Sequence, residues 1–386
     1  MEKQKKIKSV LMLIATFFPQ IGGTEKQALS LAGSLVARGI KVKVLTRRIK
    51  GTVANQNMSG ILVCRLKVIG KGFLDSVSFM IASFFYLLKH SGEYDVIHVH
   101  LASSPAIAAI VAGKLTGKKV IIKLGGGKGV DEISLSEKTF SGRLKLKFFA
   151  FTKPSLLVMN EDVLDWLKTS SLKNLDLIKF RNGVDTGKYS PLLYQEKIKA
   201  KNKLGFENKQ IFLFVCRLSP EKRIKEFVEL LDELMRQENI SQKVQFIIVG
   251  SGPEEKEIRR AAKVFELSDS LVLTGAQAEL LPYYHAADIF ILPSLSEGLS
   301  NSMLEAMSCG LAIMASAVGG AKEAVSEGVN GFLFDPFDKE KIKSHINKFL
   351  NEDKLALKMG DKSREIAVKK YSISKVTDEL LKIYEG

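Results

Sequence analysis

The sequence has few cysteines and few prolines. Its 386 residues include three cysteines, Cys64, Cys216 and Cys309, which stand far apart and form no Cys-x-x-Cys pair. This spacing argues against a zinc ribbon and against a framework of disulfides, so a reducing cytoplasm is the expected compartment. Nine prolines and a hydrophobic content of 46% argue against a disordered chain and favour a compact globular protein.

A long apolar run is also missing. The N-terminus, "MEKQKKIKSVLMLIATFF", has a basic start and a short apolar stretch, as a signal peptide does. We favour a buried strand over 10–15, because a Gly-Gly turn and an amphipathic helix follow at once, without a small-residue cleavage site. The second apolar stretch, Phe73–Lys89, contains Asp75 and is shorter than the roughly 18 residues that a membrane span needs. It predicts a buried or interface-seeking helix.

Acidic residues are scarce in the first half of the chain. Residues 1–185 carry 29 Lys and Arg against 13 Asp and Glu, whereas the remaining residues carry 29 of each, so the whole net charge of +16 lies in the first half. Such an asymmetry indicates a polyanionic partner, which could be membrane phosphates, nucleic acid or an acidic substrate. Basic solubilising faces that happen to cluster are the alternative.

Short apolar runs alternate with helical patterns along the chain, which predicts α/β structure with parallel sheets covered on both sides. Eleven apolar runs are more strands than one ordinary open sheet contains. We therefore expect two doubly wound domains, 1–185 and 186–370, separated near Arg181–Pro191. The amphipathic tail 371–386 need not belong to the domain that it follows. The predicted strands are 10–15, 42–46, 96–100, 120–124, 156–159, 211–217, 244–249, 271–274, 289–292, 311–315 and 331–334.

Ligands of open α/β sheets bind outside the carboxyl ends of the strands, so the loops there are the candidate sites. Gly22-Gly23 precede a helix whose N–H groups could hold an anion, although a simple tight turn explains them equally well. Arg217 is predicted to end a strand, and Lys222 to lie in the first turn of the next helix, a position that disfavours cations unless a diphosphate binds there. A solvated surface pair is the alternative. Gly250 could line a nucleotide pocket or an ordinary turn.

Two carboxylates, Glu297 and Glu305, flank the start of a predicted helix. Eight helical residues span about 12 Å, a spacing at which two acids could bind the hexose and the ribose of a sugar nucleotide. Backbone N–H groups around 300–302 could hold the phosphates between them. Glycosidases instead need two carboxylates across one bond. The alternative is an acid at the helix N-terminus plus a solvated one.

The stretch that contains both acids resembles the donor-site signature of retaining glycosyltransferase family 4. The resemblance covers the whole chain and rests on motifs in the family's order. These are "PQIGGTEKQ", "YDVIHVH", "RNGVDTGKYSP", "CRLSPEKR", "IVGSGPEE", "YYHAADIFILPSLSEGLSNS" and "NGFLF".

The resemblance implies a GT-B fold. Two Rossmann-like domains would face a cleft, an N-terminal domain for the acceptor and a C-terminal domain for the nucleotide-sugar donor, and the helix 371–386 would cross back to the N-terminal domain. It implies transfer of a sugar from a nucleotide diphosphate with retention, without a metal or other cofactor. The donor-binding residues that it implies are Gly23, Arg217, Lys222, Gly250, Gly298, Leu299, Ser300, Asn301 and Glu305, and the residues implied for catalysis are Glu297, Arg217 and Lys222.

The chain departs from the family pattern in its N-terminal half. Where many members carry a histidine in a Thr-x-His-Gly stretch, this chain has "IIKLGGGKG". His100 then becomes the candidate histidine of the active site, with a structural strand-end role as the alternative, and His98 is predicted to point into packing. Lys123 and Lys128 are predicted to contact an anionic acceptor or a donor phosphate.

The expected function is hexosyl transfer, by default from a UDP-sugar, to a lipid-linked or polysaccharide acceptor in cell-surface glycan synthesis. The expected location is the cytoplasmic face of a membrane, with the basic N-terminal domain and its segment 142–153 in peripheral contact with anionic lipid. Two alternatives are a GT-B epimerase or phosphorylase, and a basic nucleic-acid-binding protein, although the basic half lacks a recognisable nucleic-acid-binding module.

Overall fold

A computed structural model describes residues 6–20, 22–129, 131–206, 209–238 and 242–386. In this structure the chain folds into two compact units. One unit comprises the chain up to Gly183 together with Ile373–Gly386, and the other comprises Val184–Ser372. The division along the chain lies two residues before the boundary expected from the sequence, and the tail belongs to the N-terminal unit.

Among the described residues, the N-terminal unit contains one eight-stranded sheet, in the order β3-β4-β2-β1-β5-β6-β7-β8. The neighbouring strands pair in parallel except for β3 and β4, which are antiparallel. The strands are β1 (Ser9–Ile14), β2 (Lys41–Arg47), β3 (Asn55–Met58), β4 (Ile61–Leu66), β5 (Val96–His100), β6 (Lys119–Lys123), β7 (Ser155–Val158) and β8 (Asp176–Lys179).

The second unit contains a six-stranded, fully parallel sheet within the described ranges, in the order β11-β10-β9-β12-β13-β14. Its strands are β9 (Gln210–Val215), β10 (Val244–Val249), β11 (Leu271–Gly275), β12 (Ile289–Leu292), β13 (Ala312–Ser316) and β14 (Gly331–Phe334). Because β9 and β12 are neighbours and run in the same direction, the loops that follow them leave from one edge of the sheet.

Helices connect the strands in both units. In chain order they are α1 (Gly23–Val36), α2 (Phe73–Lys89), α3 (Ser104–Thr116), α4 (Glu132–Glu137), α5 (Phe140–Thr152), α6 (Glu161–Thr169), α7 (Tyr194–Lys203), α8 (Ile224–Glu238), α9 (Glu255–Val264), α10 (Leu281–Ala286), α11 (Asn301–Ser308), α12 (Ala321–Ala324), α13 (Lys339–Asn351), α14 (Leu355–Ile366) and α15 (Ile373–Glu385). No helix of the described ranges is long and apolar enough to cross a membrane.

The apolar strands are buried on both faces, as their composition requires. In β1, Leu11 and Leu13 join one hydrophobic cluster, whereas Val10 and Met12 join the cluster on the opposite face. This alternation follows from the two-residue period of a strand. Because both faces of β1 are buried, residues of both faces are apolar, and the run at 10–15 therefore has no polar interruption.

Three strands were not among those predicted. β3 and β8 are edge strands with the polar sequences "NQNM" and "DLIK", which carry no apolar alternation. β4 contains Arg65, a charge that a buried strand ordinarily lacks. The structure accommodates it because the guanidinium donates hydrogen bonds to the carbonyl oxygens of Phe18 and Val53, at 2.9 and 3.3 Å.

The C-terminal helix α15 packs on α1 in the N-terminal unit. Its buried side chains Val376, Leu380 and Tyr384 share one hydrophobic cluster with Leu31 and Leu35 of α1. At the edge of this contact, Arg38 donates hydrogen bonds to Asp378 at 2.8 Å and to the Ser374 carbonyl oxygen at 2.7 Å. The apolar face of the amphipathic tail is therefore buried against the N-terminal unit.

This packing predicts that Leu380→Ala destabilises the N-terminal unit by about 2–5 kcal/mol, the usual cost of truncating a buried leucine. Hydrogen exchange measured by mass spectrometry should show faster exchange in α1 and α15, with peptides of the Val184–Ser372 unit unchanged. Lys382→Ala, on the exposed face of the same helix, is the matched control. Equal protection of α1 in both variants would contradict the packing role.

Candidate active site

The loop after β9 carries both predicted phosphate-binding cations. The strand ends at Val215, so Arg217 lies in the loop and not at the strand end as predicted. Pro220–Lys222 form a single 3₁₀ turn and α8 begins at Ile224, which corrects the prediction of Lys222 in the first turn of that helix. Arg223 between them has a left-handed backbone with φ of 54°, and this conformation separates the turn from the helix.

The charges in this loop lie close together. Ser219 Oγ donates a hydrogen bond to Glu221 at 2.5 Å. Burial alone would raise the pKa of Glu221, but this hydrogen bond and the charges of Lys222 and Arg217 lower it below its usual value. Arg217 is exposed, whereas the Lys222 side chain is 18% exposed. The loop therefore presents one cation to solvent and holds the other against the protein.

The loop between β12 and α11 meets the β9 loop through Lys222. The ammonium of Lys222 forms an ion pair with Glu297, whose side chain is 13% exposed. Ser294 Oγ donates a hydrogen bond to the same carboxylate oxygen at 3.1 Å, and Leu295 N donates to the Glu221 carbonyl oxygen at 2.8 Å. Burial opposes the charge of Lys222, but the neighbouring carboxylate outweighs burial and raises the pKa of Lys222.

Glycines allow the neighbouring loops to pack closely. A Cβ at Gly250, whose φ is 149°, would lie 1.9 Å from the Cys216 carbonyl oxygen, and one at Gly319 would lie 1.9 Å from the Glu297 carbonyl oxygen. Gly320 N donates a hydrogen bond to the Gly298 carbonyl oxygen at 2.6 Å. These contacts give Gly250 a packing reason that is independent of any ligand.

The start of α11 follows directly from this loop. Ser300 is the N-cap residue, and its Oγ accepts a hydrogen bond from Met303 N at 3.3 Å. Leu299 is buried, and Asn301 is the first helical residue. The first turn of a helix offers backbone N–H groups and a partial positive charge. Lys222, Glu297 and this helix start therefore belong to one cluster of strand-end loops.

Glu305, the second acid, lies on the buried side of α11. Glu305 is 7% exposed, and its Oε2 accepts a hydrogen bond from the Tyr284 hydroxyl at 2.8 Å. The alternative of a solvated surface acid is therefore wrong for Glu305. Buried carboxylates are uncommon in protein cores, where they need hydrogen-bond partners.

The N-terminal candidates divide into buried and exposed residues. His100 at the end of β5 and Lys123 at the end of β6 are paired in register, and both are buried. Lys123 Nζ donates a hydrogen bond to Asn182 Oδ1 at 2.6 Å. Gly23, the first residue of α1, and Lys128, in the loop after β6, are exposed.

The two histidines of β5 lie on the same face of the strand. Residues two apart in a strand share a face, and the rings of His98 and His100 stack with their centroids 4.4 Å apart. The prediction that His98 points into packing is confirmed, because His98 is fully buried and its Nδ1 hydrogen-bonds the Tyr384 hydroxyl at 2.6 Å. Burial, with the charge of Lys123 as a second cause, lowers the pKa of His98 to about 3, and burial lowers the pKa of His100 as well and that of Lys123 to about 7.

Comparison with known proteins agrees with this architecture. The family profile described as "Glycosyltransferase Family 4" matches residues 21–124, and the profile described as "Glycosyl transferases group 1" matches residues 196–366. A galactosyltransferase of Escherichia coli, described as UDP-Gal:alpha-D-GlcNAc-diphosphoundecaprenol alpha-1,3-galactosyltransferase, is 28% identical over 308 residues, which cover 78% of this chain and 77% of the relative.

Solved structures show the same fold at lower identity. Sucrose-phosphate synthase from Thermosynechococcus elongatus has a TM-score of 0.79 at 19% identity, with 97% of this chain and 98% of that chain covered. Anabaena Alr3699/HepE in complex with UDP has a TM-score of 0.75 at 19% identity, covering 97% and 99%. The two parallel-sheet units thus form a GT-B fold. The chain belongs to glycosyltransferase family 4, and it is a glycosyltransferase.

The buried histidines predict a loss of stability in mild acid. Below the usual histidine pKa of about 6.5, His98 and His100 bind protons in the unfolded chain but not in the folded chain. For His98 this difference persists down to about pH 3. The free energy of unfolding should therefore decrease as the pH decreases, by up to about 1.4 kcal/mol per pH unit for each residue. Urea midpoints at pH 7.5 and 5.5 measure this loss, which His100→Leu should reduce. The same loss in the variant and the unmodified protein would contradict it.

Proposed function

We propose that the protein transfers a hexose-type sugar, with retention of anomeric configuration, from a UDP-sugar to a lipid-linked or polysaccharide acceptor in cell-surface glycan synthesis. The contact between Lys222 and Glu297 carries this proposal. In a sugar nucleotide the hexose is joined directly to a phosphate. A cation for the phosphate and an acid for the hexose hydroxyls must therefore lie side by side, and Lys222 and Glu297 do.

The donor occupies the cluster of strand-end loops in the second unit. Lys222 and Arg217 bind the diphosphate, and the backbone from Gly298 to Asn301 binds phosphate oxygens at the start of α11. Glu297 accepts hydrogen bonds from the hexose, and Glu305 from the ribose. For Gly23 we propose the contact with phosphate that the family resemblance implies. Uridine is favoured because the Escherichia coli relative is described as using UDP-Gal.

Positive charge supports the departure of the diphosphate. The developing charge on the leaving phosphate is stabilised by Lys222, which is held by its ion pair with Glu297, by the α11 N–H groups and by the exposed Arg217. Three such sources of charge in one cluster make a resident metal unnecessary, so we propose that none is used. The leaving phosphate helps to deprotonate the acceptor hydroxyl on the same face of the sugar, and this accounts for retention. In the N-terminal unit we propose His100 as the catalytic histidine, and Lys123 and Lys128 as the contacts of an anionic acceptor or a donor phosphate.

The alternatives are an epimerase, a phosphorylase and a nucleic-acid-binding protein. The Escherichia coli relative is described as a transferase that acts on a diphosphoundecaprenol-linked sugar, which favours transfer to a lipid-linked acceptor over these alternatives. UDP release that depends on an acceptor, measured with a panel of UDP-sugars, separates transfer from epimerisation and from phosphorolysis.

The proposed role of Glu297 predicts a split between transfer and nucleotide binding. Glu297→Gln removes the charge that orients the hexose, so transfer should fall by at least about 100-fold, the usual cost of a lost charged contact at a reacting centre. The affinity for UDP, measured calorimetrically, should stay the same or increase, because Lys222 keeps its charge and loses a competing carboxylate. The transfer assay includes a chelator to test the proposed independence from metal.

Glu352→Gln, an exposed acid at the end of α13, is the control for loss of one carboxylate in the same unit and should be fully active. Transfer by Glu297→Gln at the unmodified rate would contradict the assignment of Glu297. Complete loss of UDP binding by the same variant would also contradict it.

We further propose that the N-terminal unit binds the surface of an anionic membrane. Helix α5 exposes Phe140, Leu144 and Phe151, which are 83%, 61% and 83% exposed, together with exposed Arg143 and Lys147. These residues recur at helical spacing, so they form one mixed apolar and basic face, while Leu146 and Phe149 anchor the helix to the core. A face of this kind suits the interface between lipid headgroups and acyl chains.

This surface predicts salt-sensitive vesicle binding. Each basic residue near an anionic leaflet contributes about 1 kcal/mol, so R143E/K147E should weaken co-sedimentation with phosphatidylglycerol vesicles by at least about tenfold at low salt. K256E/R260E reverses two exposed charges at the same spacing on α9 of the other unit and should leave binding unchanged. Failure of the unmodified protein to sediment with these vesicles would reject the membrane contact.

A further inference from the structure

The hydroxyl of one tyrosine binds Glu305, and the ring of a second tyrosine packs on the first. The hydroxyl belongs to Tyr284 of α10, which is fully buried and donates its hydrogen bond to Glu305 Oε2 at 2.8 Å. The Tyr189 ring packs edge to face on the Tyr284 ring, with centroids 5.9 Å apart. The tyrosine that donates to the carboxylate is thus held by a neighbouring aromatic ring.

The positions of both tyrosines are fixed independently of Glu305. Arg364 Nη1 donates to the carbonyl oxygens of Tyr189 and Ser308, both at 2.9 Å, and Ser308 is the last residue of α11. Arg364 therefore joins the backbone of Tyr189 to the helix that carries the acid. His285, next to Tyr284, contacts the Ser190 carbonyl oxygen at 3.1 Å. The segment around Tyr189 is held at both α10 and α11.

The surroundings of both hydroxyls keep them protonated. Burial, followed by the charge of Glu305, raises the pKa of Tyr284 well above its usual value, and the same causes raise the pKa of Tyr189. Both hydroxyls therefore keep their protons at neutral pH. A protonated phenol donates its hydrogen bond to the carboxylate and cannot exchange roles with it.

We propose that Tyr284, supported by the ring of Tyr189, is a positioning residue that orients the Glu305 carboxylate toward the ribose of the donor. The terminal torsion of a glutamate is broad and has no single preferred value. A ribose contact needs the carboxylate plane to be fixed before the nucleotide arrives, because ordering it on binding would cost affinity. The Tyr284 hydroxyl, held in place by the packing of the Tyr189 ring, provides this order. This role also gives a reason for the tyrosines in the stretches "GKYSP" and "LLPYYHAAD", which bind no part of the donor in the function proposed above.

This inference rests on the proposed ribose contact of Glu305, so the test must separate the two. The probes are UDP and 2′,3′-dideoxy-UDP, which lacks both ribose hydroxyls of that contact. The difference between the calorimetric affinities for these two nucleotides measures the contribution of the ribose hydroxyls separately from that of the diphosphate. Tyr284→Phe and Tyr189→Phe each remove one oxygen and preserve the ring, so both variants should fold.

The unmodified protein should prefer UDP over the dideoxy nucleotide, and Tyr284→Phe should reduce this preference by about tenfold, as expected for one hydrogen bond to a charged group. Tyr189→Phe keeps the ring that supports Tyr284 and should leave the preference unchanged. The affinity for the dideoxy nucleotide should stay unchanged in both variants. In transfer assays Tyr284→Phe should raise the donor KM while kcat changes little. Tyr283→Phe, on the same helix turn and half-buried, is the matched control and should behave as the unmodified protein does.

The outcomes are distinguishable. If the unmodified protein binds both nucleotides equally, the ribose contact of Glu305 is wrong, and the inference falls with it. If it discriminates and Tyr284→Phe discriminates equally well, the ribose contact stands and the positioning role is wrong. An equal loss of affinity for both nucleotides, together with a lower melting temperature, would show a purely structural role and would also overturn the inference.

Discussion

The structure of the site depends on the parallel pairing of β9 with β12. The loops that follow two neighbouring parallel strands lie at the same edge of the sheet, and this brings Lys222 next to Glu297. The main-chain hydrogen bond from Leu295 to Glu221 holds the same two loops together. An ion pair this sheltered gains little net stability over an apolar pair. Its presence at a strand edge fits a site that must bind a charged, extended ligand.

The sheet order and the apolar strands explain why so much of the fold could be predicted. Central strands such as β5, β10 and β12 are buried on both faces, so their apolar runs begin and end at the residues predicted. Edge strands lack this constraint, and β3 and β8 were missed for that reason. The two-domain GT-B fold and the family were predicted from motif order, which depends on many residues at once and tolerates local errors.

Contacts between distant side chains could not be predicted in the same way. The donor signature contains Glu297 and Glu305, but nothing local indicates that Lys222 pairs with the first acid or that Tyr284 covers the second. Both contacts join residues that are separated in sequence, and only the folded sheet and its helices bring them together. The left-handed backbone of Arg223 was also hidden, because a non-glycine residue rarely adopts it. Its guanidinium lies 4.3 Å from the centre of the Phe337 ring, a contact that helps to hold the turn.

The central claim is that the diphosphate of the donor binds between Lys222 and the start of α11. A crystal structure of the protein with UDP tests this claim most directly. The account predicts that the Lys222 ammonium contacts the β-phosphate, that the backbone N–H groups at the start of α11 donate to phosphate oxygens, and that Glu305 hydrogen-bonds the ribose. UDP bound elsewhere, with its diphosphate away from Lys222 and from the start of α11, would contradict it.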